Sequence, residues 1–209
     1  MGDAAKIKMQ DWVVRAMQRW PNVPALFGWL GLDRRGRWLV KGEVITHGRI
    51  VSTINQNYSV DAHGRWYFQN GPQRGYIELE YAPLVLRTDA TNAGLVTHTG
   101  LPVQRAMAAY LDEAGSVLLQ TEHGAGEIAH SDLDWVLQRL TVEDRTVRED
   151  ELVGALVMPT GSTTELFLDV LGTRMPVIRV DSAEAPARLR FVRDPQPREG
   201  EAVSTRAMD

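Results

Sequence analysis

The stretch Val60-Asp-Ala-His-Gly64-Arg-Trp-Tyr-Phe-Gln-Asn70-Gly-Pro-Gln-Arg-Gly-Tyr-Ile-Glu-Leu-Glu80 decides the fold. Asp61 and Gly64 bracket a tight turn, and Trp66, Tyr67 and Phe68 are the aromatic residues that fill strands. Asn70-Gly71-Pro72 marks a second turn. Ile77, Leu79 and Tyr81 then alternate with Glu78 and Glu80, the period-2 pattern of a strand with one buried face. Ala82-Pro83 interrupts the pattern, and Leu84-Val85-Leu86 resumes it.

Toward the N-terminus, Met9, Trp12, Val13, Ala16, Met17 and Trp20 fall on one helical stripe. The spacing predicts a helix over 1–20 lying on the chain's own core, stopped by Trp20-Pro-Asn-Val-Pro24. Residues 30–40 read as a hairpin turning between Asp33 and Gly36. A short helix follows, with Ile50, Ile54 and Tyr58 on one face.

Toward the C-terminus, the polar tract 88–102 reads as a join between two halves. Residues 103–110 suit strand or helix equally. Asp112 to Gly115 is another hairpin turn. Ser131 opens a helix carrying Leu133, Val136, Leu137 and Leu140, with Ser131 and Asp134 in capping-box positions. A charged linker spans 141–151, and strands are expected at 152–158, 165–171, 174–180 and 187–193. Pro176 suits a sheet edge or a strand start. Residues 194–209, charged and poor in large apolar side chains, read as a disordered tail.

Several strings recur in order. Leu32-Asp-Arg-Arg-Gly36 matches Leu111-Asp-Glu-Ala-Gly115, and Ile45-Thr-His47 with Ile50 matches Ile128-Ala-His130 with Leu133. Ala82-Pro-Leu-Val-Leu-Arg87 matches Ala185-Pro-Ala-Arg-Leu-Arg190. The reading is an α+β fold in two related halves, 21–90 and 103–193, each a β-hairpin, a short helix and further strands, in mostly antiparallel sheet.

With Trp20-Pro-Asn-Val-Pro24, Leu32-Asp-Arg-Arg-Gly-Arg-Trp38 and Gly64-Arg-Trp-Tyr-Phe-Gln-Asn-Gly71, these strings carry a resemblance. From about residue 21 to 192 the chain resembles bacterial domain-of-unknown-function proteins built from repeated hairpin–helix–strand motifs. The resemblance implies that architecture and a role in signal transduction. It implies no catalytic residues.

The chain has 209 residues, enough for one large domain or two small ones, and 44% are apolar, enough for a core. A net charge of −4, from 27 acidic against 23 basic residues, argues against a nucleic-acid partner. The absence of Cys removes disulfides, thiol nucleophiles and Cys-ligated metals. With no signal-like N-terminal run and no segment of about 18 apolar residues, no membrane partner is expected and the expected location is the cytoplasm. The sequence leaves the oligomeric state open.

Motif by motif, structural readings prevail. His47, His63, His98, His123 and His130 offer no metal-ligand spacing, so no metal is expected. Gly124-Ala-Gly126 lacks the third glycine of a dinucleotide loop, and Pro159-Thr-Gly-Ser-Thr-Thr164 lacks the ending of a phosphate loop, so no cofactor is expected either. Gly-x-Ser-x-Gly is absent. Arg34, Arg35 and Arg37 read as a solvated hairpin tip.

One turn stands out. Gln69, Asn70, Gln73 and Arg74 group amides and an arginine fork suited to an anionic small ligand, with Trp38 and Trp66 as candidate walls. The sequence therefore reads as a non-enzymatic ligand- or partner-binding protein. An enzyme using Asp, Glu, His or Arg and a structural interaction module are the alternatives.

Overall fold

Hairpins in this protein, three of them closed by a glycine, turn on one device, an aspartate that folds its carboxylate back over its own loop. In the computed structural model, which describes residues 24–203, Asp33 Oδ1 accepts the backbone N–H groups of Arg35 and Arg37. Asp61 Oδ1 accepts those of His63 and Arg65, and Asp112 Oδ1 those of Ala114 and Ser116. In each loop the glycine three residues on donates to the aspartate carbonyl and takes positive φ, 72° at Gly36, 77° at Gly64 and 85° at Gly115. That is a turn closed by a left-handed residue, which glycine adopts without steric cost. The helix expected over 1–20, including Trp12 and Trp20, lies outside the described residues.

The chain divides into two compact units. The first runs to Pro83 and resumes at Phe191, and the second is Leu84–Arg190. This places 84–90 in the second unit and the returning segment in the first, where the sequence reading bounded the halves at 90 and 193.

The first unit is built on a six-stranded sheet. Its strands are β1 (Leu26–Leu32), β2 (Trp38–Val40), β3 (Glu43–Val44), β4 (Tyr58–Val60), β5 (Trp66–Asn70) and β6 (Gln73–Leu79), in the order β3-β2-β1-β6-β5-β4. β1 and β6 run parallel, and the other neighbours are antiparallel. Helix α1 (Gly48–Gln56) joins β3 to β4. It buries Ile54, whereas Ile50 is 48% exposed and Tyr58 belongs to β4. Tyr58 is the hub of one core, meeting the rings of Trp38 and Trp66 with centroids 4.8 Å away in each case. Across the sheet, Phe27 stacks on Tyr76 at 4.5 Å, with Tyr67 and Ala25 packed beside them.

The second unit holds β7 (Leu84–Thr88), β8 (Leu95–Thr97), β9 (Pro102–Val103), β10 (Ala106–Leu111), β11 (Val117–Thr121), β12 (Gly124–Ile128), β13 (Leu140–Val142), β14 (Arg145–Thr146), β15 (Thr163–Val170) and β16 (Thr173–Arg179). They form one ten-stranded sheet in the order β14-β13-β15-β16-β10-β11-β12-β7-β8-β9. Its parallel pairs are β10–β16 and β7–β12. The helices are α2 (Leu133–Leu137), entered by a 3-10 turn at His130–Asp132, α3 (Glu149–Leu156) and α4 (Ala185–Leu189). The whole is mostly β with mixed sheets, consistent with the α+β expectation at that level.

Several local expectations need correction. Residues 88–102 are not a join but carry β8 and β9 to the sheet edge. Residues 141–151 hold the β13–β14 hairpin and the start of α3. The strand expected at 152–158 is helix: Glu149, Asp150 and Glu151 fill its first turn, where carboxylates favour a helix N-terminus. The capping box lies here too, Glu151 accepting the Arg148 N–H at 2.9 Å, whereas Ser131 makes no cap. Residues 187–193 contain the end of α4, opened by a proline in its first turn and closed by Arg190 at φ 60°. Leu189 and Phe191 are both buried because the helix ends between them, which mimics strand alternation. Ala82-Pro83 thus precedes a strand, whereas Ala185-Pro186 opens a helix. Pro176 sits between two neighbouring strands, one residue before Val177, where β10 begins to pair.

The tail expected to be disordered is placed on the first unit through residue 203. Ala25 N–H donates to the Ala202 carbonyl at 2.9 Å, Val203 bridges Ala25, and Glu201 meets Arg65. No helix among the described residues is long and apolar enough to cross a membrane.

Candidate ligand-binding groove

β6 buries Ile77 and Leu79 on one side, so Glu78 and Glu80 emerge on the other, the face that also carries the buried Tyr76. Register carries that outer face across the sheet: Gly31 stands opposite Glu78 on β6 and opposite Leu39 on β2. β1 is irregular between Leu26 and Leu30, and Gly28 there takes φ 72°. A bulge of this kind re-aims its neighbours and suits glycine. The result is a groove of about 460 Å³ open to solvent, in which Gly28, Gly31 and Leu39 are joined by Trp29 and Lys41 and by Glu78 and Glu80.

Lys41, at positive φ in the turn between β2 and β3, donates its N–H to the Trp29 carbonyl at 2.8 Å. Its ammonium sits 4.0 Å from the centre of the Trp29 ring. The ring face is therefore already used to hold a cation. Glu80 accepts the backbone N–H of Arg34 at 3.0 Å. Neither Glu78 nor Glu80 forms an ion pair among the described residues. A cation entering this groove meets two carboxylates, beside a Trp29 face taken by Lys41, and a low glycine surface that backbone or a flat group can approach.

The residues singled out from sequence fall elsewhere. Gln69 is buried and donates to the carbonyls of Gly71 and Gln73, at 2.9 and 3.2 Å. Arg74 Nε donates to Gln69 Oε1 at 3.3 Å, and the guanidinium stacks over Tyr67 at 4.6 Å. Gln73 donates to the Pro24 carbonyl at 3.1 Å, and Asn70 is exposed in the turn. Gln69, Gln73 and Arg74 are thus brought together. Trp38 and Trp66 are not with them: both are buried about Tyr58, Trp38 donating its indole N–H to Asn55 at 2.7 Å.

Sequence reasoning passed over Trp29, Lys41, Glu78 and Glu80. The alternation of Glu78 and Glu80 put them on an outer face, but only the parallel β1–β6 register put Gly31 beside them. His47 makes no capping bond, and His130 Nε2 lies 3.6 Å from Glu127 Oε1.

Mostly-β units of mixed sheet with an open groove on one face define a class of fold, not a chemistry. The chain belongs to the family DUF2944, described as "Protein of unknown function (DUF2946)", whose model matches residues 9–196. Among solved structures it is similar to a DUF1285 family protein from Silicibacter pomeroyi DSS-3 at 15% identity, covering 75% of this chain and 84% of that one with a TM-score of 0.51, a likeness of fold. A DUF1285 family protein from Shewanella baltica OS155 is similar at 15% identity over 49% of this chain and 85% of that one, with a TM-score of 0.38. A search of curated proteins finds no match.

Proposed function

We propose that this protein is a non-enzymatic binding protein that holds a cationic group of a small molecule or protein partner in the groove between Trp29 and Glu78, in the signalling role that the family resemblance implies. The observation that carries this reading is the pairing of an aromatic face already bearing an ammonium with two carboxylates that form no ion pair among the described residues. Charge-assisted hydrogen bonds to the two carboxylates supply the attraction in such a place.

Thermal-shift titration with spermidine and with arginine tests it. The wild type is expected to gain stability, the Glu78→Gln/Glu80→Gln variant to gain at most a third as much, and the gain to fade at about 0.5 M salt. Equal gains in both proteins would place the cation elsewhere. Chemical conversion of either amine would favour the enzymatic alternative.

A second reading keeps the anionic ligand at the Gln69–Arg74 turn. It is favoured by the Arg74 guanidinium, which is laid flat on Tyr67 and steadied at Nε by Gln69. Acidic metabolites and nucleotides screened against wild type and Arg74→Ala separate it from the groove.

We also take the two units to be copies of one building plan. In support, β3-β2-β1-β6-β5-β4 and β12-β11-β10-β16-β15-β13 correspond strand for strand, with the parallel pair in the same place. Glu80 N–H donates to the Leu32 carbonyl and Val180 N–H to the Leu111 carbonyl, both at 3.0 Å. A circularly consistent alignment of many family sequences that failed to superpose Leu32 on Leu111 would sink this reading.

A further inference from the structure

Arg65 uses all three of its guanidinium nitrogens, and its partners fall into two kinds. The first kind is fixed within the sheet. Nε donates to Asp61 Oδ2 at 2.8 Å, Nη2 donates to the Tyr76 hydroxyl at 2.9 Å, and the guanidinium lies 4.5 Å from the Tyr76 ring centre. With all its partners in place the Arg65 side chain is 7% exposed. The second kind comes from the chain's end. Glu201 accepts Nη1 at 2.8 Å and Nη2 at 3.0 Å, one oxygen each, and Gln196 offers its carbonyl to Nη1 at 3.0 Å. Two residues beyond Glu201, Val203 makes an isolated parallel bridge to Ala25, next to the start of β1.

The two sides are unequal. The receptor side is largely buried with the strap in place. The strap from Gln196 to Gly200 is exposed, as are Ala202 and Val203, so little apolar surface holds it. Its attachment is a carboxylate, one carbonyl and one strand bridge. Segments held by few apolar contacts open locally at low free energy.

A sister turn shows that the receptor geometry does not need the strap. Asp33-x-x-Gly36-Arg37 repeats Asp61-x-x-Gly64-Arg65, and Asp33 Oδ2 likewise accepts Nε of Arg37, at 2.6 Å. There the arginine side chain is 48% exposed. The turn itself sets the fork, and at Arg65 the fork is filled from the chain's own end.

From this we propose that Arg65, Asp61, Tyr76 and the Ala25 backbone just before β1 form a binding site for an extended acidic peptide segment, and that residues 196–203 are its built-in occupant. A partner segment presenting a glutamate two residues before a strand-forming position displaces the strap by the same contacts: a bidentate carboxylate on Arg65 and backbone pairing at Ala25. Main-chain pairing supplies affinity in such strand addition, and the arginine supplies selection for the carboxylate. The site shares the sheet face of Tyr76 and Glu78 but none of the residues that line the groove, and does not depend on a cation binding there.

The test uses the full-length protein and a fluorescein-labelled synthetic peptide of residues 194–203, read by anisotropy. The Glu201→Gln protein, whose own strap has lost its anchor, is expected to bind the peptide at least tenfold tighter than wild type. A peptide carrying Gln in place of its Glu201 is expected to lose at least tenfold on that protein, and adding Tyr76→Phe to weaken it further. Binding of both peptides equally, or no binding to the Glu201→Gln protein, overturns the proposal. Hydrogen exchange on the wild type gives an independent check. The Ala25 amide is expected to exchange at least a hundredfold faster than the Leu79 amide. Equal rates would mean the strap opens only when the unit unfolds, and the site would not be exchangeable.

Discussion

The Trp38 indole meets the Tyr58 ring edge-on, 4.8 Å between centroids at an interplanar angle of 75°, and Tyr58 in turn donates its hydroxyl to the Pro83 carbonyl at 2.9 Å. Tyr58 is fully buried, so its hydroxyl satisfies an acceptor that water does not reach, and burial pushes the phenol pKa up. Tyr58→Phe keeps the ring and removes the donor. It is expected to cost about 1–3 kcal/mol, and Trp38→Ala about 3–5 kcal/mol, in urea unfolding. A Tyr58→Phe protein as stable as wild type would show that the Pro83 carbonyl finds another donor.

The aspartate turns differ in what their loss leaves behind. Asp33→Ala frees an arginine that is half-exposed, whereas Asp61→Ala leaves the buried Arg65 short of one acceptor. Both lose two backbone hydrogen bonds within the loop, as a lost cap does at a helix start. Asp61→Ala is therefore expected to cost at least 1 kcal/mol more than Asp33→Ala, by the penalty for an unpaired buried donor. Parallel chemical-denaturation curves decide the order.

Two glycines in the second unit give opposite signs. A Cβ on Gly126 would lie 2.7 Å from Leu86 Cγ and 2.9 Å from its Cδ2, so Gly126→Ala must move a fully buried leucine. Its expected cost is about 1–3 kcal/mol of overpacking. A Cβ on Gly154, in α3, meets nothing within 4 Å, and alanine there is expected to add about 0.5–1 kcal/mol through helix propensity. The pair is read most simply as a fall and a rise in melting temperature.

Acid should release the strap before it unfolds the protein. The hydrogen bonds from Arg65 hold Glu201 below its ordinary 4.5, with burial opposing and the Arg198 N–H assisting. Burial alone would raise Asp61, but hydrogen bonds from His63 and Arg65 outweigh it and hold it below 3.8. Tyr76, pushed up to about 12 chiefly by burial, stays neutral throughout. Carboxylates depressed in the folded state stabilise it above their ordinary pKa, and the contribution is lost as pH falls through the folded value. The Ala25 amide, corrected for intrinsic exchange, is expected to lose protection between about pH 5 and pH 3, while Leu79 keeps its own. Unchanged protection at Ala25 across that range would show that the strap does not depend on ionised Glu201.

Legibility in this sequence followed distance along the chain. The loops at Asp33, Asp61 and Asp112 were readable because every bond that forms them closes within five residues. The alternation of Ile77 and Leu79 with Glu78 and Glu80 was readable because a strand's faces are set by its own pleat. Trp38 and Trp66 were legible as aromatic strand residues, but their place about Tyr58 was not. The groove was visible only in fragments, as strand glycines and outward glutamates with nothing to say they were neighbours.

The sequence by itself determined the turns, the strand faces and a mostly-β protein with short helices, because those depend on local backbone preference and period. Tertiary structure decided that β1 lies parallel beside β6 and β10 beside β16, since long connections carry no record of which strand they return to. It made 149–156 a helix, where valines read as strand but three leading carboxylates and an exposed face favoured the coil of the helix. It also gave Arg65 its partners, Gln196 and Glu201, which lie 131 and 136 residues away. A charge names the kind of partner it needs; only the folded chain brings a particular one within 3 Å.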